Sequence, residues 1–255
     1  MTRARPSRAR PAVRFRAAMG AGASAASKAL TAAVTADDAA AVRVSDAKPQ
    51  ELGKALHLAS CKGSLAALQA LLARADVDVN FEVKDQYGLK VTAIRAAILG
   101  QQAAAVTMLL ADARVNLGAT VAKPFRKITA HERSSARAAP DTYAQKWAVE
   151  KARDCYREGA PLVVLAAQVA NPQSASYRED QDEAVVAEIL AALLAEPRVT
   201  VDPEIGLAAL ASCASSASCI AALLAAKDRT GVDQAAVDFA TAQQTIGVGQ
   251  TWGMA

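Results

Sequence analysis

Two stretches of this chain, 152 residues apart, carry the same arrangement of small and large apolar residues. Residues 56–72 read LHLASCKGSLAALQALL, and residues 208–224 read AALASCASSASCIAALL. In each stretch a run of small residues is followed by a break, at Gly63 or Ser215, and then by a second run that ends in two leucines. Turns favour glycine and serine. The pattern predicts a pair of short helices in each stretch, and such repetition indicates a stacked helical fold.

Further stretches fit the same template. Residues 92–110 predict a second helix pair, and residues 161–194 predict another, in which a polar insertion separates PLVVLAAQVA from EILAALL. A shorter and more polar match at residues 30–42 has its break at Asp37 and Asp38. Terminal repeats of such proteins are typically more polar than internal ones. We therefore expect this first match to be an N-terminal cap.

The composition supports an all-α fold. The chain contains 65 alanines among 255 residues. Alanine is the best helix former and is depleted in strands. No apolar run is long enough to cross a membrane, for which about 20 residues are needed, and we expect no membrane association.

A short β-prone run follows three of the predicted helix pairs. The runs are ADVDVN at 75–80, ARVNLG at 113–118 and EPRVTVD at 196–202. Each ends near Asn, Gly or Asp, which are turn residues. They predict hairpin-like fingers that connect one helix pair to the next. After the first run, Asp85 and Gly88 supply a turn before the next pair.

These units resemble the ankyrin repeat. Residues 55–59, ALHLA, match the P-L-H-x-A portion of the ankyrin pattern, and Gly63 matches its central glycine. The second helix matches V-x-x-L-L at residues 68–72, and the following run matches D-V-N at 78–80. Residues 85–88, DQYG, match D-x-x-G. The resemblance implies an all-α, ankyrin-like helical repeat solenoid with short β-hairpin-like fingers.

The spacing of the units is irregular. The first leucines of the L-L pairs, Leu71, Leu109, Leu193 and Leu223, are 38, 84 and 30 residues apart, whereas the ankyrin period is about 33. The long interval contains the polar insertion and an excursion, which is either an insertion or a degenerate repeat. The expected boundaries are a repeat domain at 28–233, with a cap at 28–46, repeats at 53–80, 85–116, 159–202 and 203–233, the excursion at 117–158, and a C-terminal cap or tail at 234–255.

The resemblance also implies a function. In ankyrin proteins the fingers and the first helix of each pair line a concave face that binds a protein partner. We therefore expect a monomeric scaffold or adaptor that binds a protein and needs no cofactor. The residues implied for partner binding are Phe81, Glu82, Lys84, Gln86, Tyr87, Arg198 and Thr200.

The positive charge is concentrated at the N-terminus. Residues 1–36 contain six arginines and Lys28 but no acidic residue, which gives +7, so the remainder carries +4 − 7 = −3. A body without positive excess argues against nucleic-acid binding, since that needs cations to neutralise phosphates. Residues 1–27 fit either a disordered basic tail or a transit peptide. The location is then cytoplasmic in the first case, and plastid or mitochondrial in the second.

Residues suited to catalysis or metal binding are few. His57 occupies the P-L-H position, where the resemblance implies a structural role, and His131 lies in the excursion. The four cysteines lack the paired spacing of metal sites, and Cys213 and Cys219 are expected to be buried thiols. We expect no catalytic, cofactor or metal site.

Three alternatives remain open at this point. The chain could be an organelle-imported structural or chaperone-like adaptor. It could be the accessory arm of an enzyme with a site in 117–158. It could also be a solenoid of the armadillo or HEAT kind, which would lack a turn at 78–88.

Overall fold

The computed structural model describes residues 25–84, 90–118, 160–170, 182–238 and 240–241. Most of these residues are helical and few are in strands, which confirms the all-α prediction. The predictions for residues 1–24, for the excursion beyond Gly118 and for the tail beyond residue 241 lie outside the described residues.

The helices follow the predicted order of short pairs. Their bounds are α1 Ala25–Thr35, α2 Ala39–Arg43, α3 Pro49–Lys62, α4 Leu65–Leu72, α5 Ala93–Leu99, α6 Ala103–Ala111, α7 Leu162–Val169, α8 Glu183–Ala195, α9 Pro203–Cys213, α10 Ala217–Ala225 and α11 Lys227–Thr230. Residues 234–238 are also helical. The strands are β1 Val83–Lys84 and β2 Lys90–Val91, between α4 and α5.

Contacts between the helices follow a regular order. In a first series, α1 contacts α3, α3 contacts α5, α5 contacts α7, α7 contacts α9 and α9 contacts α11. In a second series, α2 contacts α4, α4 contacts α6, α6 contacts α8 and α8 contacts α10. Each helix of the first series from α1 to α9 also packs against the next helix in the chain, its partner in the second series. The core therefore runs between the two series along the described chain.

The first leucines of the L-L pairs lie in the core. Leu71, Leu109, Leu193 and Leu223 are fully buried, one in each of the second helices α4, α6, α8 and α10. Buried alanines pack among them and allow close approach of the helices. Burial of each leucine stabilises the fold by about 1.5–3 kcal/mol.

The predicted breaks between helices are formed by residues with suitable backbone and side-chain chemistry. Gly63 ends α3 in the left-handed region, with φ of 72°, which glycine adopts without steric cost. Asp38 caps α2 by accepting hydrogen bonds from the amides of Ala40 and Ala41, both at 3.0 Å. Such a cap satisfies amides that have no partner inside the helix.

The three β-prone runs after the helix pairs, 75–80, 113–118 and 196–202, contain no strand. In or next to each run, a carboxylate accepts a hydrogen bond from the backbone amide two residues later: Asp78 from Asn80, Asp112 from Arg114 and Glu196 from Arg198. Acidic side chains of this kind offer the backbone an alternative to a β-ladder. These runs are turns, so the prediction that they are themselves hairpin-like is wrong. Directly after the first run, however, a short hairpin-like finger does form, where Val83–Lys84 pairs with Lys90–Val91.

Candidate protein-binding surface

The strand pair forms a short finger between the first two full helix pairs. Val83 lies opposite Val91, and Lys84 lies opposite Lys90 in the antiparallel register. Successive side chains of a strand point to opposite faces, so the valines share one face and the lysines the other. Val91 is buried and both lysines are exposed. The Lys90 ammonium lies 3.0 Å from the Glu82 carboxylate. Of the two lysines of the finger, Lys84 has no ion pair among the described residues.

The base of the finger is fixed to helix α3 by an aromatic side chain. Phe81 is half-buried, and its ring lies directly over Gly53. A Cβ atom built on Gly53 would be only 2.4 Å from Cγ of Phe81. Because Gly53 has no side chain, the Phe81 ring can lie against helix α3 at this position. Phe81 serves to position the finger, and only its outer part is available to a partner.

The other residues implied for partner binding lie in different settings. Lys84 and Thr200 are exposed, and Glu82 is half-buried in its ion pair. Gln86 and Tyr87 lie outside the described residues. Residues 81–84 are 116 to 119 positions from Thr200 in sequence, and the two sites belong to different helix pairs.

Helix α3 has an open stripe next to the finger. Gln50 and Lys54 are exposed, and Leu58 and Cys61 are half-buried. Residues spaced by three or four positions lie on one side of a helix, so these four form one continuous strip. The strip combines a positive charge with apolar surface.

Two other helices of the first series, α5 and α7, differ from α3 in exposure. Every residue of α5 is buried, and so is every residue of 160–170. These helices therefore offer no open surface. Further along the series, α9 is open again, and Leu207 on it is 44% exposed. Among α3, α5, α7 and α9, surface that is free for a partner therefore lies on α3 with the finger, and separately on α9.

Arg198, implied by the resemblance as a partner-binding residue, makes contacts within the chain. Its guanidinium donates hydrogen bonds to the backbone carbonyls of Leu110 and Asp112 at the end of α6. Its Nε atom also donates to the Glu196 carboxylate at 2.9 Å. The last carbonyls of a helix have no partner inside the helix and carry partial negative charge. Arg198 therefore connects its own unit to the unit before it.

Within the described part of the chain, Arg198 is one of four arginines that make this kind of contact, and we call them the bridging arginines. Arg74 donates to carbonyls of Val42, Arg43 and Ser45, Arg114 to those of Leu72 and Arg74, and Arg229 to those of Leu194, Glu196 and Val199. Each reaches the C-terminal end of the second helix in the preceding unit. The sequence signal is an arginine two to five residues after each L-L pair with an acidic residue nearby, a recurrence that the sequence analysis missed.

The bridging arginines change the ionisation of their acidic neighbours. Side-chain hydrogen bonds from Arg74, Arg114 and Arg198 lower the pKa of Asp76, Asp112 and Glu196, respectively. The same bonds raise the pKa of Arg74 and Arg114. Each carboxylate holds the guanidinium in the orientation that reaches the carbonyls. The acidic residues and the arginines therefore stabilise contacts between units.

The turns of adjacent units are also joined by asparagines. The Asn80 Nδ2 atom donates to the Arg114 carbonyl at 2.9 Å, and Asn80 Oδ1 accepts from the Asn116 amide at 2.7 Å. Asn80 is the residue that matches the asparagine of D-V-N. The side chain of Arg95, which is buried, donates to the Ala160 carbonyl at 2.7 Å. Polar side chains between units are thus used mainly for backbone contacts.

The part of the chain that the structure describes contains one histidine, His57, and three cysteines, Cys61, Cys213 and Cys219. No three His, Cys, Asp or Glu side chains within it are grouped so as to hold a metal ion. His57 lies in α3 and is 9% exposed, and His131 is outside the described residues. Of the helices described, none has the length and apolar character needed to span a membrane.

Comparison with known proteins gives no family assignment. No protein-family model, curated protein or solved structure matches this sequence.

Proposed function

We propose that this chain is an ankyrin-like repeat protein that binds a protein partner and has no catalytic activity of its own. The observation that carries the proposal is the order of helix contacts, in which each pair packs against the pair before it and the pair after it. A single helix pair cannot bury its apolar stripe alone, and stacking of pairs provides the missing surface. Such stacks present extended binding surfaces.

The finger favours an ankyrin-like unit over the armadillo or HEAT kind. Those units lack β-like fingers, whereas β1 and β2 pair between α4 and α5. The D-V-N asparagine supports the same choice, since Asn80 joins its turn to that of the next unit. The bridging arginines add a contact between consecutive second helices.

The proposed binding surface is the open stripe of α3 together with the finger. It presents the positive charges of Lys54 and Lys84 and the partly exposed apolar surface of Leu58. Complementary charge raises association rates and selects among partners, and apolar contacts supply much of the binding energy. A partner segment with acidic and apolar side chains fits this combination.

The proposal is tested by charge reversal on this surface. The variant Lys54→Glu/Lys84→Glu changes two exposed lysines of α3 and the finger. The matched control, Lys28→Glu/Lys227→Glu, makes the same change in charge at exposed lysines of α1 and α11. Full-length wild type and both variants are used as bait in extracts of the source cells, and bound proteins are quantified by mass spectrometry.

We expect at least one protein that the wild type and the control retain and that the α3 and finger variant loses by about tenfold or more, which corresponds to about 1.4 kcal/mol. Circular dichroism checks that both variants remain folded. Equal retention of every bound protein by both variants contradicts the proposed surface. Absence of any specifically bound protein contradicts a binding function.

A further inference from the structure

A small cleft lies between the turns of two successive units, at the point where strand β2 is followed by helix α5. Its polar lining consists of Asn80, Thr92, Arg95 and Asn116, and its apolar lining of Ile94 and Leu162. The empty space amounts to about 320 Å³, part of which is open to solvent. Among the described side chains that line the cleft, the one that carries a charge is Arg95, and this charge is positive.

The guanidinium of Arg95 forms part of the wall of the cleft. Arg95 is only 7% exposed, and its Nη1 atom donates to the Ala160 carbonyl at 2.7 Å. A guanidinium is always charged and carries five N–H donors in a planar array that matches the oxygen atoms of carboxylates and phosphates. A positive charge that is largely shielded from water attracts an anion more strongly than an exposed one does. The wall therefore suits a ligand that bears negatively charged oxygen atoms.

The two asparagines of the cleft already use their side-chain oxygen atoms. Asn80 Oδ1 accepts from the Asn116 backbone amide at 2.7 Å, and Asn116 Oδ1 accepts from the Gly118 backbone amide at 2.9 Å. These bonds fix which end of each amide group is the acceptor. The Nδ2 group of Asn116 has no hydrogen-bond partner in the described part of the chain. Asn116 therefore offers the cleft a donor.

Thr92 adds a hydroxyl group to the lining. It is the N-cap residue of α5 and is 8% exposed, yet its side chain makes no capping hydrogen bond. A threonine at this position ordinarily accepts a hydrogen bond from an amide of the first helical turn. Among the described residues the Thr92 hydroxyl has no other hydrogen-bond partner. Polar groups with so little exposure normally have a partner, and an oxygen atom of a bound ligand can provide it.

We propose that this cleft is a binding site for a small oxyanion, either a carboxylate or a phosphate group. Arg95 supplies the positive charge, and the Thr92 hydroxyl and the Asn116 amide donate hydrogen bonds that orient the ligand. Ile94 and Leu162 limit the access of water, which strengthens these polar contacts. The proposal does not depend on protein binding, because its test uses only the chain and simple anions.

The test is an NMR titration of the full-length, ¹⁵N-labelled protein with sodium phosphate and, separately, with sodium acetate. A titration with sodium chloride at matched ionic strength controls for general salt effects. The signals observed are the backbone amides of Thr92 and Gly118. We expect saturable shifts in the millimolar range with at least one of the two oxyanions and no comparable shifts with chloride. A response to phosphate alone identifies a phosphate site, and a response to acetate alone identifies a carboxylate site.

Two variants test the donors. Thr92→Val removes the hydroxyl, and Asn116→Asp places a negative charge in the cleft while keeping the oxygen that accepts from Gly118. Each should weaken oxyanion binding by about tenfold or more. Thr200→Val, at an exposed threonine of another unit, is the matched control and should bind as the wild type does. Absence of saturable shifts with both oxyanions overturns the proposal, as does an equal response to chloride or unchanged affinity in both variants. The wild-type titrations and the other variant decide if one variant fails to fold.

Discussion

The guanidinium of Arg114 donates a hydrogen bond to the backbone carbonyl of Leu72, 42 residues earlier in the chain. Leu72 is the last residue of α4, where carbonyl groups lack partners inside the helix. The Asp112 carboxylate holds the guanidinium from the other side, at 2.6 Å. Arg74 and Arg198 show the same relationship, and Arg229 makes the carbonyl contacts. Consecutive units are therefore joined by polar contacts at the ends of their second helices as well as by the apolar core.

Replacement of Arg114 by alanine should destabilise the protein. The change removes hydrogen bonds to the carbonyls of Leu72 and Arg74. Hydrogen bonds to charged groups contribute about 1.5–3 kcal/mol, and partial exposure of the side chain reduces this, so we expect a loss of about 1–2 kcal/mol. Urea denaturation followed by circular dichroism measures it.

The matched control for Arg114 is Lys54→Ala, which removes an exposed cation and should change the free energy of unfolding by less than about 0.5 kcal/mol. Arg114→Lys should lie between wild type and Arg114→Ala, because an ammonium cannot reproduce the planar array of donors. Equal stability of Arg114→Ala and the control contradicts a bridging role.

The acidic neighbours of the bridging arginines predict a dependence of stability on pH. The pKa of Asp112 is lowered in the folded protein, chiefly by the hydrogen bond from Arg114. A lowered folded-state pKa gives stability that is present above the unfolded value, near pH 4, and is lost as pH falls through the folded value. We expect the free energy of unfolding to decrease with acidification below about pH 4.

Arg114→Ala tests the source of that dependence. Without the guanidinium, the pKa of Asp112 should move toward its unfolded value, and the variant should lose less stability than the wild type below about pH 4. The measurement is urea denaturation at a series of pH values, with Lys54→Ala again as control. Parallel pH profiles for wild type and Arg114→Ala would exclude this linkage.

The sequence was informative where structure depends on local pattern. The helix pairs, the buried leucines and the break at Gly63 follow from apolar spacing and from turn residues. The β propensity of the three runs predicts strands that do not form there, because it ignores the competing hydrogen bond that the Asn80 amide donates to the Asp78 carboxylate. A carboxylate next to a turn was the available signal.

The candidate surface is harder to predict from the sequence than the helix pairs. Whether a residue of the first-series helices is exposed depends on contacts with residues that are far away in the sequence. The complete burial of α5 could therefore not be inferred from its own residues. The role of Arg198 depends on carbonyls 86 and 88 residues earlier. Phe81 was recognised as an aromatic of the finger, but its support by Gly53 depends on a contact 28 positions away.

Truncation of a core leucine tests the packing between units. Leu71→Ala leaves a cavity at a fully buried site between α4 and its neighbours. Such changes cost about 2–5 kcal/mol. Leu207→Ala is the matched control, because that leucine is 44% exposed and its loss should cost less than about 1 kcal/mol. Thermal and urea unfolding measure both, and equal effects of the two substitutions contradict the described core.

The contact between Gly53 and Phe81 predicts a coupling between two substitutions. Alanine at a helical glycine normally stabilises a protein by about 0.5–1 kcal/mol. In Gly53→Ala, however, the new methyl group would meet the Phe81 ring at 2.4 Å, so we expect destabilisation of about 1–3 kcal/mol.

Phe81→Ala removes the ring and should therefore make Gly53→Ala neutral or stabilising. The double-mutant cycle, measured by urea denaturation, should give a coupling energy of about 1–3 kcal/mol. Hydrogen exchange at Val83 and Val91 reports on the finger, and exchange should be faster in Gly53→Ala than in the wild type because the displaced ring no longer fixes the strand pair. Additive effects of the two substitutions would show that the finger is not held at Gly53.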